Sequence, residues 1–242
     1  MVELTQLELC SGILSIIGIL LVLVLGFFMI RIYFRNKNRN ILLMGIVMIL
    51  ISEPWWPYGI SVILVLTGGE ILPLREHILI ALVFQPLLFI LGMIVMTDLM
   101  WEDKKKIILP LSAIYAAIYQ TVIFYAFIVD PTRFATSEGP LDVRYKSFLA
   151  LVLIMALIIL IMISILFFRE SRKSQNQENR LRGTLYLISG LSFVTGAILD
   201  AILPLSFILL LIVRILLASA AFEIYSAFAM PKLIKKIFLK EE

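Results

Sequence analysis

Seven continuous apolar stretches dominate this sequence: 11–33, 41–67, 78–100, 107–129, 147–168, 183–204 and 206–230. A hydrocarbon core of about 30 Å takes around 20 apolar residues in a helix, so each stretch is long enough to cross. The runs are unbroken rather than alternating. That favours helices over barrel strands, because a helix satisfies its own backbone groups in lipid. The runs fill most of the 242 residues and leave no room for a second, soluble domain. The expected fold is therefore all-α. It is a single seven-transmembrane-helix bundle over 1–231, followed by a short basic amphipathic tail at 232–242.

Composition excludes the soluble classes. With 62% hydrophobic and 16% charged residues, the chain carries more apolar surface than a water-soluble core of this size can hide. A net charge of +4 suggests a nucleic-acid partner if taken alone. The positions of the charges argue against that and make the lipid bilayer the partner. Sixteen of the 21 basic residues fall between spans one and two, three and four, five and six, or after span seven. They include Arg31, Lys105, Arg172 and Lys236. By the positive-inside rule the N-terminus is outside, the C-terminus is cytoplasmic, and the protein is a multi-pass cell-membrane protein. The first ten residues hold Glu3 and Glu8 but no Lys or Arg, so no secretory signal peptide is read there.

Two loops and the tail stand apart. Segment 130–147 is the longest outer loop, with turns expected at Pro131, Gly139 and Pro140. Segment 169–182 is a charged inner loop, read either as a solvated connector or as a docking surface for a cytoplasmic protein. In the tail, Leu233, Ile234, Ile237 and Phe238 alternate with lysines, a pattern that lies along a membrane surface.

Ionisable groups inside a bilayer are costly and face protein or water. Glu53 lies roughly 18 Å into span two from the inner side, and Arg214 roughly 13 Å into span seven from the outer side. Similar depths make a Glu53–Arg214 ion pair geometrically possible, provided spans two and seven are neighbours. Gln85, Gln120 and Thr195 fall at the same level, with Asp200 nearer the outer surface. Together with Trp55 and Trp56 these residues form a candidate ligand-binding layer in the outer half; the alternative is a network that only fixes packing. Pro54 and Pro57 are expected to kink or open span two, and Pro86 to kink span three. In span six, Ser189, Ser192, Gly196 and Asp200 form a small and polar face at helical spacing, with Gly190 and Ala197 beside it, suited to close helix packing. A second cluster, Asp98, Tyr186, Glu223 and Tyr225, is a candidate cytoplasmic coupling site, with Arg182 expected to pair with one of its acids.

Catalytic patterns are absent from the sequence. The lone His77 sits at the outer rim without a serine motif, Cys10 has no base, and Asp98 and Asp200 lie near opposite faces. No metal-binding helix motif or phosphate-binding glycine loop is present, so neither an enzyme nor a cofactor is expected. Seven helices with the N-terminus outside resemble rhodopsins and seven-helix receptors in topology. No lysine occurs in 206–230 to carry retinal, and the usual receptor signatures at the ends of spans three and seven are missing. The resemblance is nearest to prokaryotic seven-helix sensor modules. It implies a small ligand bound in the outer half and a signal passed to a separate cytoplasmic protein. A small transporter or transport-complex subunit gated by Glu53 and Arg214, and a structural membrane subunit, are the alternatives.

Overall fold

A computed structural model describes residues 4–202 and 206–239. Glu3, residues 203–204 at the expected end of span six, and Lys240 lie outside the described residues. Among the described residues seven helices are long and apolar enough to cross a membrane. The chain runs through α1 (Gln6–Asn36), α2 (Arg39–Leu50), α3 (Trp56–Leu66), α4 (Leu74–Leu82), α5 (Gln85–Met100) and α6 (Lys105–Ile128). It continues through α7 (Ser147–Ser171), α8 (Gln177–Ile202), α9 (Phe207–Ala229) and α10 (Lys232–Phe238).

Spans two and three are each two helices in series. Pro54 and Pro57 cannot donate to the α2 ladder, and the chain passes through a 3-10 turn, Glu53–Trp55, before α3 resumes the climb. Span three breaks between Leu82 and Gln85, where Pro86 stands at the start of α5. The kink or opening expected of span two and the kink expected of span three are thus local breaks in the α-helical ladder, across which Ile51, Ser52, Trp55, Val83 and Phe84 keep right-handed helical backbone. The inner loop 169–182 is shorter than the sequence suggested, since α7 extends to Ser171 and α8 starts at Gln177.

Segment 130–147 is more ordered than a string of turns. It forms a 3-10 turn (Pro131–Arg133) and an antiparallel hairpin of β1 (Ala135–Gly139) and β2 (Asp142–Tyr145). The hairpin packs onto the bundle end. Ala135 and Leu141 are buried, and a Cβ placed at Gly12 of α1 would lie 3.5 Å from Leu141. This end is called the hairpin end below, and the opposite one, with most of the lysines and arginines, the basic end.

Helix pairs approach closely where glycine removes a side chain. Gly26 of α1 faces Gly45 of α2, and a Cβ on either would lie 3.0–3.1 Å from the other's carbonyl oxygen. Gly190 of α8 receives Ser164 of α7, with a Cβ there only 2.3 Å from the serine Oγ. The small face of span six thus packs against α7, and through Gly196 against Leu217 of α9. In the half of the bundle toward the basic end Met29, Met44, Met48 and Met96 fill the core and are at most 2% exposed. Methionine suits such a site because its flexible thioether fills irregular gaps. Long apolar side chains such as Ile17, Phe27, Ile107, Ile158 and Ile215 cover the outer surface, as expected of helices solvated by lipid.

Candidate functional site

The two helix breaks meet at Glu53. Its side chain is fully buried. One carboxylate oxygen accepts the Phe84 N–H at 2.7 Å, and the other accepts the Gln85 Nε2–H at 3.1 Å. Phe84 precedes α5, so the carboxylate serves a helix start whose backbone donors have no intrahelical partner. Gln85 Nε2 also lies 3.4 Å from the Leu50 carbonyl, one of those freed by the break in span two. Next to it, Ser52 Oγ donates to the Ile49 carbonyl and accepts from Trp56 Nε1 at 2.9 Å. Proline in each span exposes backbone groups, and the polar residues beside it satisfy them.

The expected Glu53–Arg214 pair does not form. Arg214 Nη1 lies 3.5 Å from Asp200 Oδ2, and the same carboxylate accepts the Trp55 Nε1–H at 3.0 Å. Depth along the helix axis brought Glu53 and Arg214 to one level. Azimuth decided otherwise: Glu53 turns toward α5, while Arg214 turns toward α8, the helix that α9 packs against most extensively. Of the rest of the layer, Gln85 joins Glu53. Gln120 is half-buried and makes no side-chain hydrogen bond among the described residues, and Thr195 is exposed on α8. Neither belongs to the network.

Arg214 lines a narrow slot between α1, the break in span two at residues 51–55, α8 and α9. The slot is lined by Leu14, Gly18, Trp55, Phe193, Leu217 and Ile224, among others. It contains about 500 Å³ of unoccupied space, including its open mouth. The Arg214 Nε and Nη1 atoms are buried, and neither donates a hydrogen bond among the described residues. The Asp200 contact is thus an ion pair with poor hydrogen-bond geometry. It compensates the charge but leaves buried donors without acceptors.

Beneath the hairpin lies a second group of polar residues that the sequence reading missed. His77 stands in the first turn of α4, at the hairpin end, and is buried there; its ring meets Tyr58 edge-on at 5.1 Å. His77 Nε2 and the Tyr119 hydroxyl are buried without partners among the described residues. Tyr145, on β2, closes this group from above. Burial raises its phenol well above the ordinary value, with Tyr58, Tyr119 and Glu53 adding to the effect. The signal was present in the sequence, since His77, Ala81 and Gln85 recur every four residues and share a face.

At the basic end the expected coupling cluster separates. Asp98 pairs with Lys105. Glu223 accepts from Ser219 Oγ at 2.6 Å, and its other oxygen is buried without a partner among the described residues. Tyr186 packs edge-on against Phe167 and Phe228, and Tyr225 lies half-buried against the same core. Arg182 pairs with neither expected acid. It binds Glu178 at 2.7 Å and donates to the Ala227 and Phe228 carbonyls at 3.1 and 3.0 Å, serving the open C-terminal end of α9. Glu178 also holds Lys235 of α10 at 2.5 Å, so one acid ties α8, α9 and the tail helix together. Ile234 anchors that helix in the core while Leu233, Ile237 and Phe238 remain exposed. A larger cavity, of about 840 Å³ counted with its open mouth as the slot is, opens here among Asn38, Asn40, Glu170, Ser174, Asn179 and Arg182.

Fold and site together define a seven-helix bundle of membrane-crossing length with polar centres toward both ends. No family model matches the chain, and no curated protein and no solved structure matches it.

Proposed function

We propose that this chain is a receptor-like membrane sensor, with the hairpin end outside and the basic end in the cytoplasm. It takes up a small ligand at Arg214 and couples to a separate cytoplasmic protein at the basic end. One observation carries this reading: Arg214, a cation within a helix of membrane-crossing length, lines a slot inside the bundle, and its Nε and Nη1 donors have no hydrogen-bond partner among the described residues. Leaving buried donors unmet costs about 1–3 kcal/mol each, and a purely structural arginine recovers that cost from neighbouring carbonyls. Slot and inner cavity are separated by the packed methionines Met29, Met44, Met48 and Met96. That barrier supports a sensor over a transporter, which needs a path through it. Neither enzymatic chemistry nor a cofactor belongs to this reading.

The test is native mass spectrometry of protein gently extracted from its own membranes. A bound small molecule that is lost on Arg214→Ala supports the proposal. Protein with no bound molecule, or with one that Arg214→Ala leaves in place, overturns it in favour of a structural subunit.

A further inference from the structure

We propose that the β1–β2 hairpin is a lid, and that it lifts from the bundle to bring His77 and Tyr119 into contact with water. Neither Arg214 nor its slot takes part.

The hairpin covers the bundle end through contacts on two sides. Ala135 of β1 joins Ile78 of α4 and Tyr119 of α6 in one buried cluster, with Val143 and Tyr145 of β2 packed at its edge. Phe134, just before β1, meets Tyr125 of α6 edge-on at 5.8 Å. On the other side Leu141 is 3% exposed and lies against Gly12 of α1. The hairpin thus bridges α1, α4 and α6.

The polar groups beneath it are unserved. His77 and Tyr119 are 4% and 2% exposed. With the hairpin docked, His77 Nε2 and the Tyr119 hydroxyl have no surface that water can reach and no hydrogen-bond partner among the described residues. Other buried hydroxyls are met. Ser15, Thr97 and Ser112 donate to the carbonyl four residues back on their own helix. Tyr115, one turn before Tyr119, donates to the Val152 carbonyl of α7 at 3.0 Å. A short hydroxyl can turn back to its own backbone, whereas a ring carries its polar atom away from it. Docking therefore gives up hydrogen bonds to water at His77 and Tyr119 and gains apolar contact at Ala135 and Leu141. Terms of opposite sign leave only a small gap between the docked and lifted states.

The segment is attached so that it can move as a unit. A two-stranded hairpin has little stability of its own, and this one pairs with no further strand among the described residues. One backbone bond, from the Lys146 N–H to the Phe134 carbonyl at 2.8 Å, closes its base. On the α6 side the chain turns at Asp130, whose carboxylate accepts the Thr132 N–H at 3.0 Å. On the α7 side Ser147 has φ 55°, in the left-handed region that a residue other than glycine seldom occupies. Rotation of Ser147 to the right-handed region relieves that strain and swings the hairpin about its second attachment.

His77 is the only histidine in the chain and so reports on the lid by itself. Diethyl pyrocarbonate acylates a neutral imidazole that solvent can reach. The full chain, in nanodiscs of one synthetic phospholipid, is treated with this reagent at neutral pH, and acylation of His77 is followed by mass spectrometry of its peptide. Leu141→Ala should speed acylation by about tenfold or more, because loss of a buried leucine weakens the cover. The converse uses Glu8→Cys and Gly139→Cys in a Cys10→Ser background. A Cβ at Gly139 lies 3.4 Å from Glu8 Oε1, so a short, reducible thiol cross-linker can tie the hairpin to α1. The tie should slow acylation by about tenfold or more, and reduction should restore the rate. Hydrogen exchange of the α8 and α9 amides in the same samples should respond to neither change, which separates lifting of the hairpin from unfolding of the bundle. Equal rates in the tied and free forms, no acylation in any form, or acylation that keeps pace with α8 and α9 exchange overturns the lid.

Discussion

The Glu53 carboxylate accepts the Phe84 N–H at 2.7 Å, so the acid inside one broken helix serves the start of another. Glu53→Ala removes the acceptor for both Phe84 and Gln85. Buried donors left unmet cost about 1–3 kcal/mol apiece. The variant should lose several degrees of melting temperature in detergent, and Glu53→Gln should lose less because its amide oxygen can still serve Phe84. Equal stability of all three forms would remove Glu53 from its joining role.

Coupling energies separate the pairing found from the one expected by depth. A double-mutant cycle on Asp200→Asn and Arg214→Gln should give an interaction of about 1 kcal/mol, within the range for contacting charged groups. A cycle on Glu53→Gln and Arg214→Gln should give less than about half that value, and a charge swap between positions 53 and 214 should not restore stability. A larger Glu53–Arg214 coupling would mean that the two side chains meet.

Close packing of α7 on α8 depends on Gly190, where a Cβ would fall 2.3 Å from Ser164 Oγ. Gly190→Val should destabilise the bundle by about 1–3 kcal/mol through overpacking. Ser164→Ala removes the obstructing oxygen and should recover part of that loss. The thermal unfolding midpoints of the two variants and their combination provide the check.

Hairpin docking should depend on pH. Burial raises the Asp142 carboxyl above its ordinary range; Glu138, Asp200 and Glu8 act in the same direction, and Arg144 opposes them. The folded hairpin therefore holds the proton more tightly than the unfolded chain does. Its stabilising effect is complete below the ordinary carboxylate pKa and is lost as pH rises through the raised value. Hydrogen exchange of the β1 and β2 amides, corrected for intrinsic rates, should show more protection in mild acid than at neutral pH. Asp142→Asn should flatten the difference, and an unchanged slope in that variant would assign the effect to another group.

At the basic end, Arg182 holds two α9 carbonyls and Glu178, which in turn holds Lys235. Arg182→Ala should loosen the start of α8 from the end of α9 and release α10. Proteolysis near Lys235 and Lys236 should become faster, while the hairpin end keeps its exchange pattern. Unchanged cleavage would show that Ile234 alone fixes the tail helix.

Several of these features were legible in advance for identifiable reasons. The breaks at Pro54 and Pro86 follow from a missing donor and a steric clash, both local properties of proline. The small face of α8 was readable because helical spacing puts Ser189, Ser192 and Gly196 on one side. The reciprocal approach of Gly26 and Gly45 was not readable, since each lies alone in an apolar run and acquires meaning only from the other. The hairpin was hidden because its register depends on what Ala135, Leu141 and Tyr145 bury against.

The sequence by itself determined seven membrane-length helices, the places where two of them break, and the division of charge between the ends. These follow from how apolar length, proline and charge partition between water and lipid, one segment at a time. Tertiary structure alone decided the partners: Glu53 with Phe84 and Gln85, Arg214 with Asp200, Arg182 with the end of α9, and His77 beneath Tyr145. Depth is proportional to residue number along a helix and can be counted. The direction a side chain faces across the bundle depends on how neighbouring helices are rotated and arranged, and no single segment contains that information.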